Sequence, residues 1–257
     1  MLKNLRKSIL LSVILVGLSV SAFSQQADST KAVKYFSGSV MLTTKGISTI
    51  PNFTLGKPAA VFIFTFGKKI RFEPELRFSL EGKPWMFILW WRTELYKSNK
   101  FAVRLGANPT FAFKTMTASL NGVPNSLLVG YRTLTADLTP TWYVTKNFGL
   151  GMYYMYVYGI EDITTRTTHY IALRSYFSNI RLSGPYFLKF NPQCYFLYQD
   201  GITGTYLSAN LSLNSKQSPF SLATMLNRSI NTDIPVGKGL VWNVSVSYAF
   251  SKTYLKK

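Results

Sequence analysis

The chain has one cysteine, one histidine and ten acidic residues in 257, and each shortage closes off a class of function. The lone Cys194 allows no internal disulfide, so the chain is not a disulfide scaffold and must be held by packing and backbone pairing. It lies far from the N-terminus, is no lipoprotein anchor, and reads as a small apolar strand residue. One histidine and one cysteine make no metal cluster, glycine-rich phosphate loops are absent, and no cofactor is expected. Beyond the N-terminal segment no run approaches the ~18 apolar residues of a membrane-spanning helix. Yet 47% of the residues are hydrophobic and 16% aromatic. That apolar content must be dispersed through the chain.

The N-terminus carries Lys3, Arg6 and Lys7, an apolar run from Ile9 to Val20, and Ala22 and Ser24 at the −3 and −1 positions before Gln25. These three parts predict a secretory signal peptide over residues 1–24. A membrane anchor is the alternative, for which the run is short. Residues 25–34 read as a polar tail. The formal net charge is +19; losing Lys3, Arg6 and Lys7 with the leader reduces the 29 basic residues to 26 against ten acidic, or +16. A basic excess can signal nucleic acid. Here it is scattered without a basic block on an exported chain. Anionic lipid headgroups or lipopolysaccharide are the expected partners, and nucleic acid is not.

The dispersed apolar residues alternate. Ile70, Phe72, Pro74, Leu76, Phe78 and Leu80 interleave with Arg71, Glu73, Glu75, Arg77, Ser79 and Glu81. Successive strand side chains point to opposite faces, so this strand has one apolar and one charged face. The same period predicts twelve strands: 35–45, 57–67, 69–81, 85–96, 101–114, 128–144, 148–160, 167–181, 186–199, 204–214, 219–228 and 239–250. Tight polar turns alternate with longer loops at 46–56, 115–127, 161–166 and 229–238. Apolar faces collect Phe62, Phe64 and Phe66; Trp85, Phe87, Leu89, Trp91 and Leu95; Leu150, Met152, Tyr154, Tyr156 and Tyr158; and Tyr186, Leu188, Phe190, Phe196 and Tyr198. A soluble sandwich is the alternative, but its water-facing side should be rich in lysine. Here the opposite face is mostly Gly, Ser, Thr and Tyr. Pro74, Pro109, Pro140 and Pro192 fall inside strands, where proline removes a ladder donor, and local bulges are expected there.

In the last strand Trp242, Val244, Val246, Tyr248 and Phe250 alternate with Val241, Asn243, Ser245, Ser247 and Ala249. A closing strand ending in an aromatic resembles the assembly signal of bacterial outer-membrane barrels, although residues 251–257 follow it as a C-terminal tail. With the leader, residues 35–250 resemble a small outer-membrane β-barrel protein at the level of pattern, with no named functional family. The resemblance implies an all-β, up-and-down antiparallel transmembrane barrel of about twelve strands, apolar side to lipid and charged side to the lumen, with both termini periplasmic.

Charge on the inward parity is concentrated. A lumen ion-pair network is expected among Arg71, Glu73, Glu75, Arg77, Arg92, Glu94, Arg104 and Asp137, with Glu81 on the same parity. A Gly82-Lys83 turn places Glu73 opposite Arg92 and Arg71 opposite Glu94; the next turn places Glu94 opposite Arg104; pairing Lys114 with Leu127 places Arg104 opposite Asp137. Across the lumen, Tyr153, Arg174, Tyr176, Lys189, Asn191, Gln193 and Tyr195 form a basic, aromatic-polar wall suited to a small anionic or polar solute. Outer-membrane phospholipases pair a histidine with a serine on one face. The neighbours of His169 on its parity are Thr167 and Ile171, so catalysis is not expected. The sequence reads as a narrow pore or binding barrel. The alternative is a scaffold with a salt-bridged, closed lumen, acting through its loops or a protein partner.

Overall fold

A computed structural model describes residues 33–120, 123–236 and 238–255. The predicted leader lies outside the described residues, as does most of the polar tail. Residues 34–254 form one compact unit. The other unit, residues 1–33 and 255–257, lies almost wholly outside the described residues.

Twelve strands form a closed antiparallel barrel in which each pairs with its sequence neighbours and the last lies beside the first. They are β1 (Val33–Thr43), β2 (Ala59–Gly67), β3 (Ile70–Ser79), β4 (Pro84–Lys97), β5 (Phe101–Leu120), β6 (Val123–Tyr143), β7 (Phe148–Gly159), β8 (Thr167–Arg181), β9 (Tyr186–Gln199), β10 (Ile202–Ser215), β11 (Phe220–Thr232) and β12 (Leu240–Leu255). Closure leaves no sheet edge, so every strand has a neighbour on both sides. The connections at one end are short: 68–69, 98–100, 144–147, 182–185 and 216–219. The opposite end carries residues 44–58, with a 3-10 turn at Pro51–Phe53, and the loops 160–166 and 233–239. There too the chain reverses tightly at Asp200–Gly201, both in the left-handed region with φ of +46° and +95°, a backbone that suits a twisted hairpin.

Three expectations change. The loop expected at 115–127 is strand: β5 and β6 stay paired as far as Leu120 and Val123. The tail boundary at 250 is also displaced, because β12 runs to Leu255. At the strand prolines the ladder lapses without a bulge. Pairing of β8 with β9 stops between Arg174↔Gln193 and Phe177↔Phe190, around Pro192, and resumes in the same register; β6 and β7 do the same around Pro140. A proline removes one donor toward one neighbour only, which opens the ladder on that side without inserting a residue. Shifts of register occur elsewhere, as between Arg77 and Phe78.

The outward rows of the strands are mostly apolar, with Leu173 68% and Ile70 64% exposed. Aromatic rings gather toward both ends. Near the short turns Phe36, Phe66, Phe72 and Trp91 form a chain with centroids 5.1, 6.3 and 4.7 Å apart, and Phe148 stacks on Phe177 at 4.8 Å. Near the loops, the only histidine, His169, sits among Tyr156 and Tyr198 and meets the Tyr154 hydroxyl through Nδ1 at 2.9 Å. Greasy walls between aromatic girdles suit a bilayer. Trp85 departs from its expected face. The shift beside Arg77 turns it inward, where it is buried and donates from Nε1 to the Phe53 carbonyl at 2.9 Å.

Candidate functional site

The lumen carries a belt of polar and ionised side chains that crosses seven strands. Arg92 on β4 is its hub. Its Nη1 bonds Glu73 Oε2 at 2.8 Å and its Nη2 bonds Asp137 Oδ2 at 3.3 Å, while its guanidinium lies 3.9 Å from the Trp90 ring centre. Arg71 also pairs with Glu73, at 3.0 Å, and Arg77 with Glu75 at 2.7 Å. Asp137 lies on β6, beyond β5, and Arg92 reaches it because Gly106 is the β5 residue paired with both. A Cβ there would lie 2.5 Å from Asp137 Oδ1 and 3.0 Å from Arg92 Cγ. The glycine is needed for the missing side chain, not for backbone freedom.

From Asp137 the belt continues into the other wall. The Tyr153 hydroxyl donates to Asp137 Oδ2 at 3.1 Å. The Arg174 guanidinium covers the Tyr153 ring at 3.7 Å and its Nε donates to Gln193 Oε1 at 2.8 Å. Above Arg174, toward the loops, lies a stack of tyrosines. Tyr170 packs edge-on to Tyr153 and flat on Tyr195, and Tyr195 lies parallel to Tyr206 with centroids 4.9 Å apart. Tyr195 donates to Asn227 at 2.8 Å, which satisfies a buried hydroxyl. Below Arg174, toward the short turns, Tyr176 packs over Gly151, and Lys189 and Asn191 continue the wall. Lys189 is exposed and Asn191 half-buried. The network and the wall, expected on opposite sides, are one connected system.

Several of the expected pairings are corrected. Arg71, not Glu73, is opposite Arg92, because the β3–β4 connection and the adjacent shift displace the register by two. Asp137 is opposite Gly106 rather than Arg104 for the same kind of reason. Glu94 is opposite Arg104 as expected, but its carboxylate turns to Lys97 at 3.0 Å near the exposed rim. Arg104 therefore has no carboxylate among the described residues, and its buried Nε has no partner there. Glu81 leaves the lumen for the exposed β3–β4 turn, where it meets Lys57 at 3.2 Å.

That the loops enter the bore was not among the expectations. The β1–β2 connection crosses it, and Asn52 Nδ2 bonds both Thr165 Oγ1 and Gln199 Oε1 at 3.3 Å on the far side. Ile50 from this loop and Ile234 from the β11–β12 loop are buried in the same apolar cluster as Trp85, Val157, Tyr170 and Leu197. Ile47, Ile50, Phe53 and Leu55 were the available signal, since a loop this greasy has little reason to remain in water. The loop end is thus packed, with side spaces of about 430 and 300 Å³ flanking the crossing segment. Among the described residues no group of histidine, cysteine and carboxylate side chains could hold a metal.

A closed barrel, apolar outside and ionised inside, defines the class: an integral transmembrane β-barrel. No protein-family model matches the chain, and no curated protein sequence does. Solved structures with a similar fold include a KdgM porin, 12% identical over 83% of this chain and 99% of that one with a TM-score of 0.47. A NanC porin is 11% identical over 88% of this chain and 100% of its own with a TM-score of 0.46. An outer membrane channel from Pseudomonas putida F1 is 8% identical over 88% and 99%, with a TM-score of 0.47.

Proposed function

We infer that the protein is a non-catalytic outer-membrane barrel, with both termini in the periplasm, that takes a small anionic solute into its lumen at Arg174. The orientation follows the usual rule that short turns face the periplasm and long loops the outside. The observation that carries the reading is the state of Arg174. This half-buried guanidinium is oriented by Tyr153 and Gln193, yet among the described residues no carboxylate pairs with it. Exposed Lys189 adds a second cation on the same wall. An arginine inside a lumen, held in place but not neutralised, attracts anions and offers a planar pair of donors to a carboxylate or phosphate.

Planar-bilayer recording of the purified barrel under a salt gradient tests this. Anion preference is expected, and Arg174→Gln should reduce it. Cation preference, or selectivity indifferent to that substitution, overturns the reading. The second reading, a structural barrel, is favoured by the stacked tyrosines and the crossing loop that fill the loop end. A barrel that neither conducts nor binds anionic solutes is of that kind.

A further inference from the structure

The outer wall between β6 and β12 is not evenly convex. It bears a groove of about 870 Å³ whose floor is set by the small or ring-locked outward residues Pro140, Ser175, Pro192 and Ala209. Two of these are the prolines at which the β6–β7 and β8–β9 ladders lapse. The short and ring-locked side chains leave the hollow unfilled. The flanks are apolar: Met152, Leu173, Leu207 and Leu226 line it. At one margin stands Arg228, paired across the strands with Leu207 and Leu240 and therefore pointing outward with them.

Arg228 is exposed, and no described carboxylate pairs with it. A charge on a lipid-facing row is costly unless it meets a headgroup. The adjacent Ser229 bonds Gly239 at 3.1 Å, which puts Arg228 at the loop end of the wall, where headgroups begin. We propose that this groove is a binding site for a membrane lipid of net negative charge, its unpaired phosphate on Arg228 and an acyl chain along the hollow. Charge complementarity selects the occupant, since an uncharged chain would leave Arg228 uncompensated and a second copy of this wall would bring two arginines together.

Native mass spectrometry of the folded barrel, offered equal phosphatidylglycerol and phosphatidylcholine, tests the assignment. One surface arginine should favour the anionic lipid about fivefold. Arg228→Gln should bring the ratio near unity, and Ala209→Phe, which fills the floor, should lower retention of both lipids. Heat-modified gel mobility confirms that each variant is folded. Equal retention by the natural chain, a preference that survives Arg228→Gln, or oxidative Cys194–Cys194 dimers trapped across the groove would overturn the proposal.

Discussion

Gly106→Ala adds a single methyl group to the belt, and its effect can be worked out from the contacts. Replacing a glycine in extended backbone with alanine ordinarily stabilises by roughly 0.4–1 kcal/mol, through the unfolded chain. At this position the new Cβ falls 2.5 Å from Asp137 Oδ1, closer than such atoms approach, and 3.0 Å from Arg92 Cγ. β5 is paired on both sides here, so the carboxylate must give way rather than the backbone. Asp137 has a side chain 0% exposed against 18% for Arg92, and turning it away leaves a buried charge without its guanidinium. Breaking a buried pair by loss of one partner costs about 3–5 kcal/mol. After the alanine gain, the net expectation is a destabilisation of roughly 2–4 kcal/mol. Urea unfolding of the barrel in lipid vesicles, followed by tryptophan fluorescence, measures it. Asp137→Ala in the Gly106→Ala background should cost clearly less than in the natural chain, since the two act on one contact. Equal stability of Gly106→Ala and the natural chain, or strict additivity of the pair, would refute the reasoning.

Arg104→Ala should cost less than about 1 kcal/mol in the same assay, because no ion pair is lost; a loss as large as that of Arg92→Ala would show a partner beyond those seen. Asn52→Ala removes the two side-chain bonds that tie the tip of the crossing loop to Thr165 and Gln199, so channel openings in bilayer recordings should become more frequent, and an unchanged record would argue against a latch. Two carboxylates at the loop end make it acid-sensitive. Backbone and side-chain hydrogen bonds from Arg132 to Glu161, both 2.6 Å, hold its pKa below the ordinary value. For Asp200, partial desolvation pushes upward, but bonds from Thr167 N, Arg166 N and the Thr167 hydroxyl outweigh it and the pKa falls. A depressed folded pKa means the stabilisation is complete above the ordinary carboxylate range near ~4 and is lost as pH falls through the lower folded values. Protease susceptibility of residues 160–166 should rise only below that range, and a rise already at neutral pH would contradict it.

Number and location of strands were legible because a period of two needs nothing beyond neighbouring residues. β8 and β9 occupy the predicted spans, Thr167–Arg181 and Tyr186–Gln199. Register was less legible, for it depends on turn length. Asn121-Gly122 is a strong two-residue hairpin signal, and centring β5 and β6 on it gives the observed Lys114↔Val129 pairing. Reading the stretch as a loop moved Asp137 by two positions. For β3–β4 no such signal exists, since the shift beside Arg77 depends on how Trp85 packs under the Phe53 carbonyl.

The sequence by itself determined a chain of alternating strands, greasy on one face and ionised on the other, because alternation and the scarcity of acids are properties of the chain alone. Tertiary structure decided which charges meet, since Arg92 reaches Asp137 only over the notch at Gly106. It also decided that the β1–β2 loop crosses the bore and that the outer wall carries a groove lined by Pro140 and Pro192. Those outcomes rest on contacts between residues far apart in the chain, and a one-dimensional pattern carries no distances between them.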